Sequence, residues 1–117
     1  MQKDSLKQLR YRLRQFAAAR DWDQFHSPKN LSMALAGEVG ELLEHFQWLT
    51  EKQSQVLSEE QRQQVTTELA DILIYLVRLA DKLDVDLIDA ADQKIETNES
   101  KYPPHKVRGD AKKYDEY

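Results

Sequence analysis

A chain of 117 residues with 40% hydrophobic content carries enough apolar side chains for one domain with a real core and too few for two. It has no cysteine, which removes disulfide frameworks and thiolate metal sites, and its net charge of -4, with acids and bases interspersed, leaves no broad basic footprint for a nucleic-acid duplex. No run of about 18 apolar residues is present, and the charged opening MQKDSLKQLRYRLRQ is unlike a signal peptide, so the expectation is a soluble cytoplasmic protein with neither membrane nor nucleic acid as partner.

Only three glycines and three prolines interrupt a sequence rich in Leu, Ala, Gln, Glu and Lys, and helix is the local preference almost throughout. Asp4 is placed to cap a first helix running to about Arg20, with Leu6, Leu9, Leu13 and Phe16 on one stripe. Asp21 to His26 reads as a short aromatic-rich connector. Ser27 followed by Pro28 starts a second helix, because proline at the first helical position gives up no needed donor, and this helix is expected to reach about Leu49. A polar stretch from Thr50 to Val56 leads to Ser58-Glu59-Glu60-Gln61, a capping-box pattern opening a third helix to about Leu83. Asp86 caps a fourth, which ends before Pro103-Pro104. The remaining tail, His105 to Tyr117, mixes charge with Gly109 and has no periodic apolar face, predicting an extended or conditionally ordered segment beyond a domain of residues 1–104.

The third helix is the most informative. In LADILIYLVRL, Leu69 to Leu79, only Asp71 and Arg78 carry charge, so apolar groups surround nearly its whole circumference and the helix must be central. Four helices of this size cover it only in part, and a second copy of the chain is expected to supply the rest.

Glu38 and Glu41 lie three residues apart on the second helix, as do Glu68 and Asp71 on the third, so each pair shares one face. Glu38 sits one turn from Leu35 and Leu42, and Glu68 one turn from Val65 and Ile72, so these acids interrupt apolar stripes. An ionised carboxylate held away from water costs several kcal/mol unless it is paired, protonated or bound to a metal. The short connector makes the two helices antiparallel neighbours, with the pairs about ten residues before Leu49 and about eleven after Ser58; at about 1.5 Å per residue they come level. All four acids are therefore expected to converge, and oxygen ligands without His or Cys suit a hard cation such as magnesium. A carboxylate-bridged redox bundle would need Glu-x-x-His motifs, whereas His45 follows Glu41 by four residues.

Other residues admit two readings. Trp22, Phe25, His26 and Trp48 flank the connector and the end of the second helix, where rings stack on a nucleobase or serve as packing anchors. His26 hydrogen-bonds a base or caps the following helix. Lys94, Asn98 and Lys101 form a basic and polar stripe on the fourth helix, either a solvated face or an anion-facing one. Lys112 and Lys113 in the tail fold over phosphates or remain free charge.

The segments DWDQFHSPKNLSMALAGEVGELLEHFQW and ELADILIYLVRLADKLDVDL resemble the MazG-like all-α nucleotide pyrophosphohydrolases, and within them the branch acting on dCTP, from about Leu6 to Tyr102. The resemblance implies an all-α, four-helix MazG-like bundle assembled as a homotetramer, a dimer of dimers. It also implies Mg2+-dependent hydrolysis of a deoxynucleoside triphosphate, dCTP or a base-modified relative, to the monophosphate and pyrophosphate. By the same resemblance Glu38, Glu41, Glu68 and Asp71 hold the metal; Trp22, His26, Asn30 and Trp48 lie around base and sugar; and Tyr75, Lys94 and Asn98 lie around sugar and phosphates. One departure bears on base preference: Leu13 stands where mammalian relatives carry a His. The expected chemistry is in-line attack of water on the α-phosphorus, with a carboxylate, Glu38 or Glu41, accepting the proton. The alternative is a non-enzymatic helical oligomer acting as an interaction module or nucleotide sensor.

Overall fold

The computed structural model describes residues 5–110 of the chain. Every regular element among them is helical: α1 (Leu6–Ala19), a 3-10 turn (Asp23–Phe25), α2 (Pro28–Glu44), α3 (Glu51–Ser54), α4 (Glu59–Lys82), α5 (Leu87–Lys101) and α6 (Pro104–Val107). These elements fall into two compact units that divide between Asp84 and Val85. The four helices expected from the sequence are α1, α2, α4 and α5; α3 and α6 are additional single turns.

Polar side chains at the helix starts account for most boundaries. Ser27 Oγ accepts the Asn30 N–H at 3.1 Å, with Pro28 in the first turn. Ser58 Oγ accepts the Gln61 N–H at 3.1 Å while Gln61 Oε1 accepts the Ser58 N–H at 2.9 Å, completing the capping box at the head of α4. Asp86 accepts the Asp89 N–H at 3.0 Å to start α5. Thr50 and Gln53 repeat the capping box over α3, within the stretch expected as a polar connector. Ser5 occupies the cap position of α1 without a side-chain cap bond, and Asp4, the expected cap, lies outside the described residues.

Two ends differ from expectation. Helix α2 stops at Glu44, short of Leu49, because the following amides reach back three residues: His45 N–H donates to the Leu42 carbonyl at 3.1 Å, Phe46 to Leu43 at 2.9 Å and Leu49 to Phe46 at 2.9 Å. The tail expected to be extended contains α6, with proline at its start and a turn closed by Asp110 N–H on the Val107 carbonyl at 2.8 Å, next to Gly109 at φ 80°. Lys112 and Lys113 lie outside the described residues.

Helix α4 packs against both α2 and α1, the central place its apolar circumference requires. Among the described residues, the buried apolar side chains are Ala17 on α1, Leu31 on α2, and Val65, Val77 and Ala80 on α4. Leu69, Leu73 and Leu76 of α4, and Leu83 at its C-terminal cap, remain 52%, 41%, 37% and 54% exposed in the single chain. No helix among the described residues is long and apolar enough to cross a membrane.

Candidate functional site

Packing of α2 on α4 brings three of the four expected acids together. Glu38 and Glu41 from α2 and Glu68 from α4 each offer a carboxylate oxygen, and these oxygens lie within 4.8 Å of one another. Glu38 and Glu68 are half-buried and Glu41 is exposed. The Oε2 atoms of Glu38 and Glu68 are buried and have no hydrogen-bond partner among the described residues. Burial, then the apposed carboxyls of Glu41 and Glu68, then the charges of Glu41 and Asp71 push the Glu38 carboxyl up to about 7. Asp71 is half-buried and stands outside the 4.8 Å group, yet near enough for its charge to act on Glu38.

Such an arrangement is unfavourable by itself. Buried oxygens without donors each cost about 1–3 kcal/mol, and like charges raise the cost further. His45 Nε2 lies 3.8 Å from Glu68 Oε1, too long for a hydrogen bond. A divalent cation would satisfy the orphaned oxygens and cancel the repulsion together. The donors are all carboxylate oxygens, so the cluster fits a hard ion of the magnesium type, with Glu38, Glu41 and Glu68 as the residues positioned to hold it.

The connector is set by the end of α1. Trp22 N–H donates to the Ala17 carbonyl at 2.9 Å and Asp21 N–H to Ala18 at 3.1 Å, while Asp21 takes the left-handed conformation at φ 54°. This is a Schellman-type stop built on Asp, one of the few non-glycine residues that visit that region readily. It reverses the chain and seats Trp22 edge-on to Phe16, with centroids 5.6 Å apart and planes at 71°. Arg20 covers Phe16 from 3.6 Å. The His26 ring stands 6.3 Å from Trp22, tilted by 59°. Asn30 Nδ2 donates to the Phe25 carbonyl at 3.0 Å, which ties α2 to the connector and leaves the amide oxygen as an acceptor.

Trp22, His26 and Asn30 thus share one short segment and its following helix. Trp48, in the turns after α2, is 86% exposed, and Phe25 is 59% exposed. Tyr75 is half-buried on α4. Lys94, exposed, and Asn98, half-buried, belong to α5 in the second unit.

Reading the sequence did not single out a charged network in the same unit. Arg78, 4% exposed, sends Nη2 to Asp23 Oδ1 at 2.6 Å and to His26 Nδ1 at 3.1 Å. Lys82 Nζ donates to the same Asp23 oxygen at 2.9 Å. Asp81 takes Arg14 Nε at 2.7 Å and Nη2 at 2.5 Å. Hydrogen bonds from Lys82 and Arg78 hold the Asp23 carboxyl below its ordinary range, and the Arg14 bond does the same for Asp81. Burial, with the Arg78 charge next in size, lowers the His26 imidazole. The signal for this network was Arg78 itself, a lone cation in an otherwise apolar run of α4.

The description of the MazG-like family matches residues 34–117, a span that contains all four acids. Among characterised proteins, the chain is 49% identical over 112 residues to dCTP pyrophosphatase 1 of Mus musculus, covering 94% of this chain and 66% of that protein. It is 46% identical over 114 residues to dCTP pyrophosphatase 1 of Homo sapiens, covering 96% and 67%. The chain therefore spans about two thirds of the length of these relatives. A crystal structure of a pyrophosphatase from Archaeoglobus fulgidus superposes with a TM-score of 0.80 at 38% identity, covering 88% of this chain and 96% of that one.

Proposed function

The chain belongs to the MazG-like family, and from that premise we propose that it hydrolyses a deoxynucleoside triphosphate, dCTP or a base-modified relative, to the monophosphate and pyrophosphate with Mg2+ as cofactor. The observation that carries the reading is the trio Glu38, Glu41 and Glu68, with two buried oxygens unpartnered and one carboxyl raised to about 7. A structural acid has no reason to be kept in that state, whereas a metal ligand has. The names of the relatives, dCTP pyrophosphatase 1 and pyrophosphatase, support the same chemistry.

When bound, magnesium supplies positive charge to the phosphates and makes an associated water more acidic. Glu38, Glu41 and Glu68 hold the ion, with Asp71 assigned as a fourth ligand. A new bond forms from water oxygen to the α-phosphorus, the bond from that phosphorus to the bridging oxygen breaks, and pyrophosphate leaves. A carboxylate of the cluster, Glu38 or Glu41, accepts the water's proton. Trp22 and Trp48 offer flat faces to the base, His26 and Asn30 offer polar atoms to base and sugar, and Tyr75, Lys94 and Asn98 are assigned to sugar and phosphates by the resemblance. Leu13, half-buried on α1, brings no hydrogen-bonding group where mammalian relatives have a His, so base preference here depends on the remaining polar residues.

The leucine stripe of α4 supports assembly with further copies, and a homotetramer is the proposed state. The biological role proposed is removal of unwanted nucleotides from the cytoplasmic pool.

Incubation with a panel of triphosphates and magnesium, scoring pyrophosphate against orthophosphate, tests the function. Pyrophosphate release from dCTP or a 5-substituted dCTP is expected. Absence of pyrophosphate from every nucleotide, with binding retained, would favour the sensor reading.

A further inference from the structure

We propose that Arg78 is a positioning residue that holds the His26 imidazole as the neutral tautomer with its hydrogen on Nε2, so that His26 presents a single fixed donor to the substrate. A guanidinium has five N–H groups and no lone pair. The 3.1 Å contact from Arg78 Nη2 to His26 Nδ1 is therefore a hydrogen bond only if Nδ1 is the acceptor. A neutral imidazole with a bare Nδ1 carries its hydrogen on Nε2.

Arg78 is itself fixed. Its side chain is 5% exposed, its Nη2 is held 2.6 Å from Asp23 Oδ1, and Asp23 is held in turn by Lys82 at 2.9 Å. Asp23 and His26 belong to the same short connector, three residues apart, so one buried cation locks both the path of that connector and the ring at its end. Protonation of Nδ1 would set an N–H against the guanidinium, and burial first, with the Arg78 charge second, lowers the pKa of His26. With Nδ1 occupied, Nε2–H is the group left for a ligand.

The identity of that ligand rests on the nucleotide reading above; the tautomer does not. A fixed donor selects a base that presents an acceptor. Cytosine offers acceptors at O2 and N3, whereas N3 of uracil and thymine carries a hydrogen, so a donor aimed at N3 separates cytosine from both. Arg78 would in this way contribute to base choice without touching the base.

The tautomer is read directly by long-range 1H–15N correlation spectra of the His26 ring, assigned with His26→Gln. Wild-type protein is expected to show Nε2 protonated and Nδ1 bare, and a hydrogen on Nδ1 or a mixture of tautomers would overturn the proposal. Arg78→Met removes the donor while Asp23 keeps Lys82 and Asp81 keeps Arg14, and it is expected to yield mixed tautomers; an unchanged His26 spectrum overturns the proposal. Arg78→Lys, which keeps a cationic donor, is expected to restore the Nε2–H form in part, and it serves with the wild type if Arg78→Met does not fold.

Kinetics then test the link to substrate. Arg78→Met should raise KM for the preferred triphosphate about tenfold with a much smaller effect on kcat, the size expected for one hydrogen bond. In a His26→Gln background the same change should add little. A full additional loss in that background would mean that Arg78 does not act through His26. If no triphosphate is hydrolysed at all, the hydrolytic reading fails, while the spectra still decide the tautomer.

Discussion

Replacing Glu38 with Gln probes the site through stability and activity together. In the metal-free protein burial and the neighbouring acids push the Glu38 carboxyl from 4.5 up to about 7. The folded state therefore holds this proton more tightly than the unfolded chain does. Below about pH 4.5 both states are protonated and nothing is lost; between that pH and about 7 the unfolded chain ionises first, so stability falls as pH rises and levels off above 7. At about 1.36 kcal/mol per pKa unit, the interval sets a ceiling of about 3 kcal/mol, and solvent screening of a half-exposed carboxyl reduces this to about 2 kcal/mol. Gln keeps the shape and removes the charge. Without metal, Glu38→Gln should be about 2 kcal/mol more stable than wild type at pH 8 and only about 0.5 kcal/mol more stable at pH 5. Urea unfolding in EDTA, followed by circular dichroism at one protein concentration, measures the difference, with an unchanged denaturant slope expected. Magnesium should then stabilise wild type more than the variant, since the ion binds the deprotonated cluster, and the variant should lose turnover. A variant less stable than wild type at pH 8 in EDTA, or a gain of equal size at both pH values, would mean that the Glu38 charge is not the source of the strain.

Other residues make separate claims. Glu41→Gln and Asp71→Asn should each lower kcat by about a thousandfold or more with helix content intact; a near-normal rate in Asp71→Asn would remove that residue from the ligand set, leaving the trio that lies within 4.8 Å. Leu73→Glu combined with Leu76→Glu, on the exposed stripe of α4, should convert the assembly to a smaller species in sedimentation velocity, and an unaltered profile would mean that another surface joins the copies. Trp48, 86% exposed, should contribute little to the fold; Trp48→Ala is expected to shift unfolding stability by less than about 0.5 kcal/mol. The same variant should weaken nucleotide binding about tenfold by calorimetry if the ring stacks on the base.

What was legible in the sequence was mostly local. Ser27-Pro28, Ser58 with Gln61, and Asp86 place their donors or acceptors within three residues, and each helix starts where those residues put it. The acid trio was legible because Glu38 and Glu68 interrupt apolar stripes, an arrangement that costs free energy without a partner. The Thr50–Gln53 box has the same form, but four residues are too few to show periodicity, so nothing in the sequence separates α3 from a connector. The end of α2 carries neither glycine nor proline; the winding tightens through backbone bonds that no residue type announces. Asp21 ends α1 in a conformation where glycine would have been the plain signal. Arg78 was visible as a lone charge, but its partners Asp23 and His26 lie more than fifty positions away in sequence and meet it only once the connector folds onto α4.

Anomalous diffraction from crystals grown with Mn2+ in place of magnesium locates the bound cation. A manganese peak is expected within about 2.3 Å of carboxylate oxygens of Glu38, Glu41 and Glu68. A peak bound elsewhere on the chain, with these three side chains still unligated, would contradict that placement.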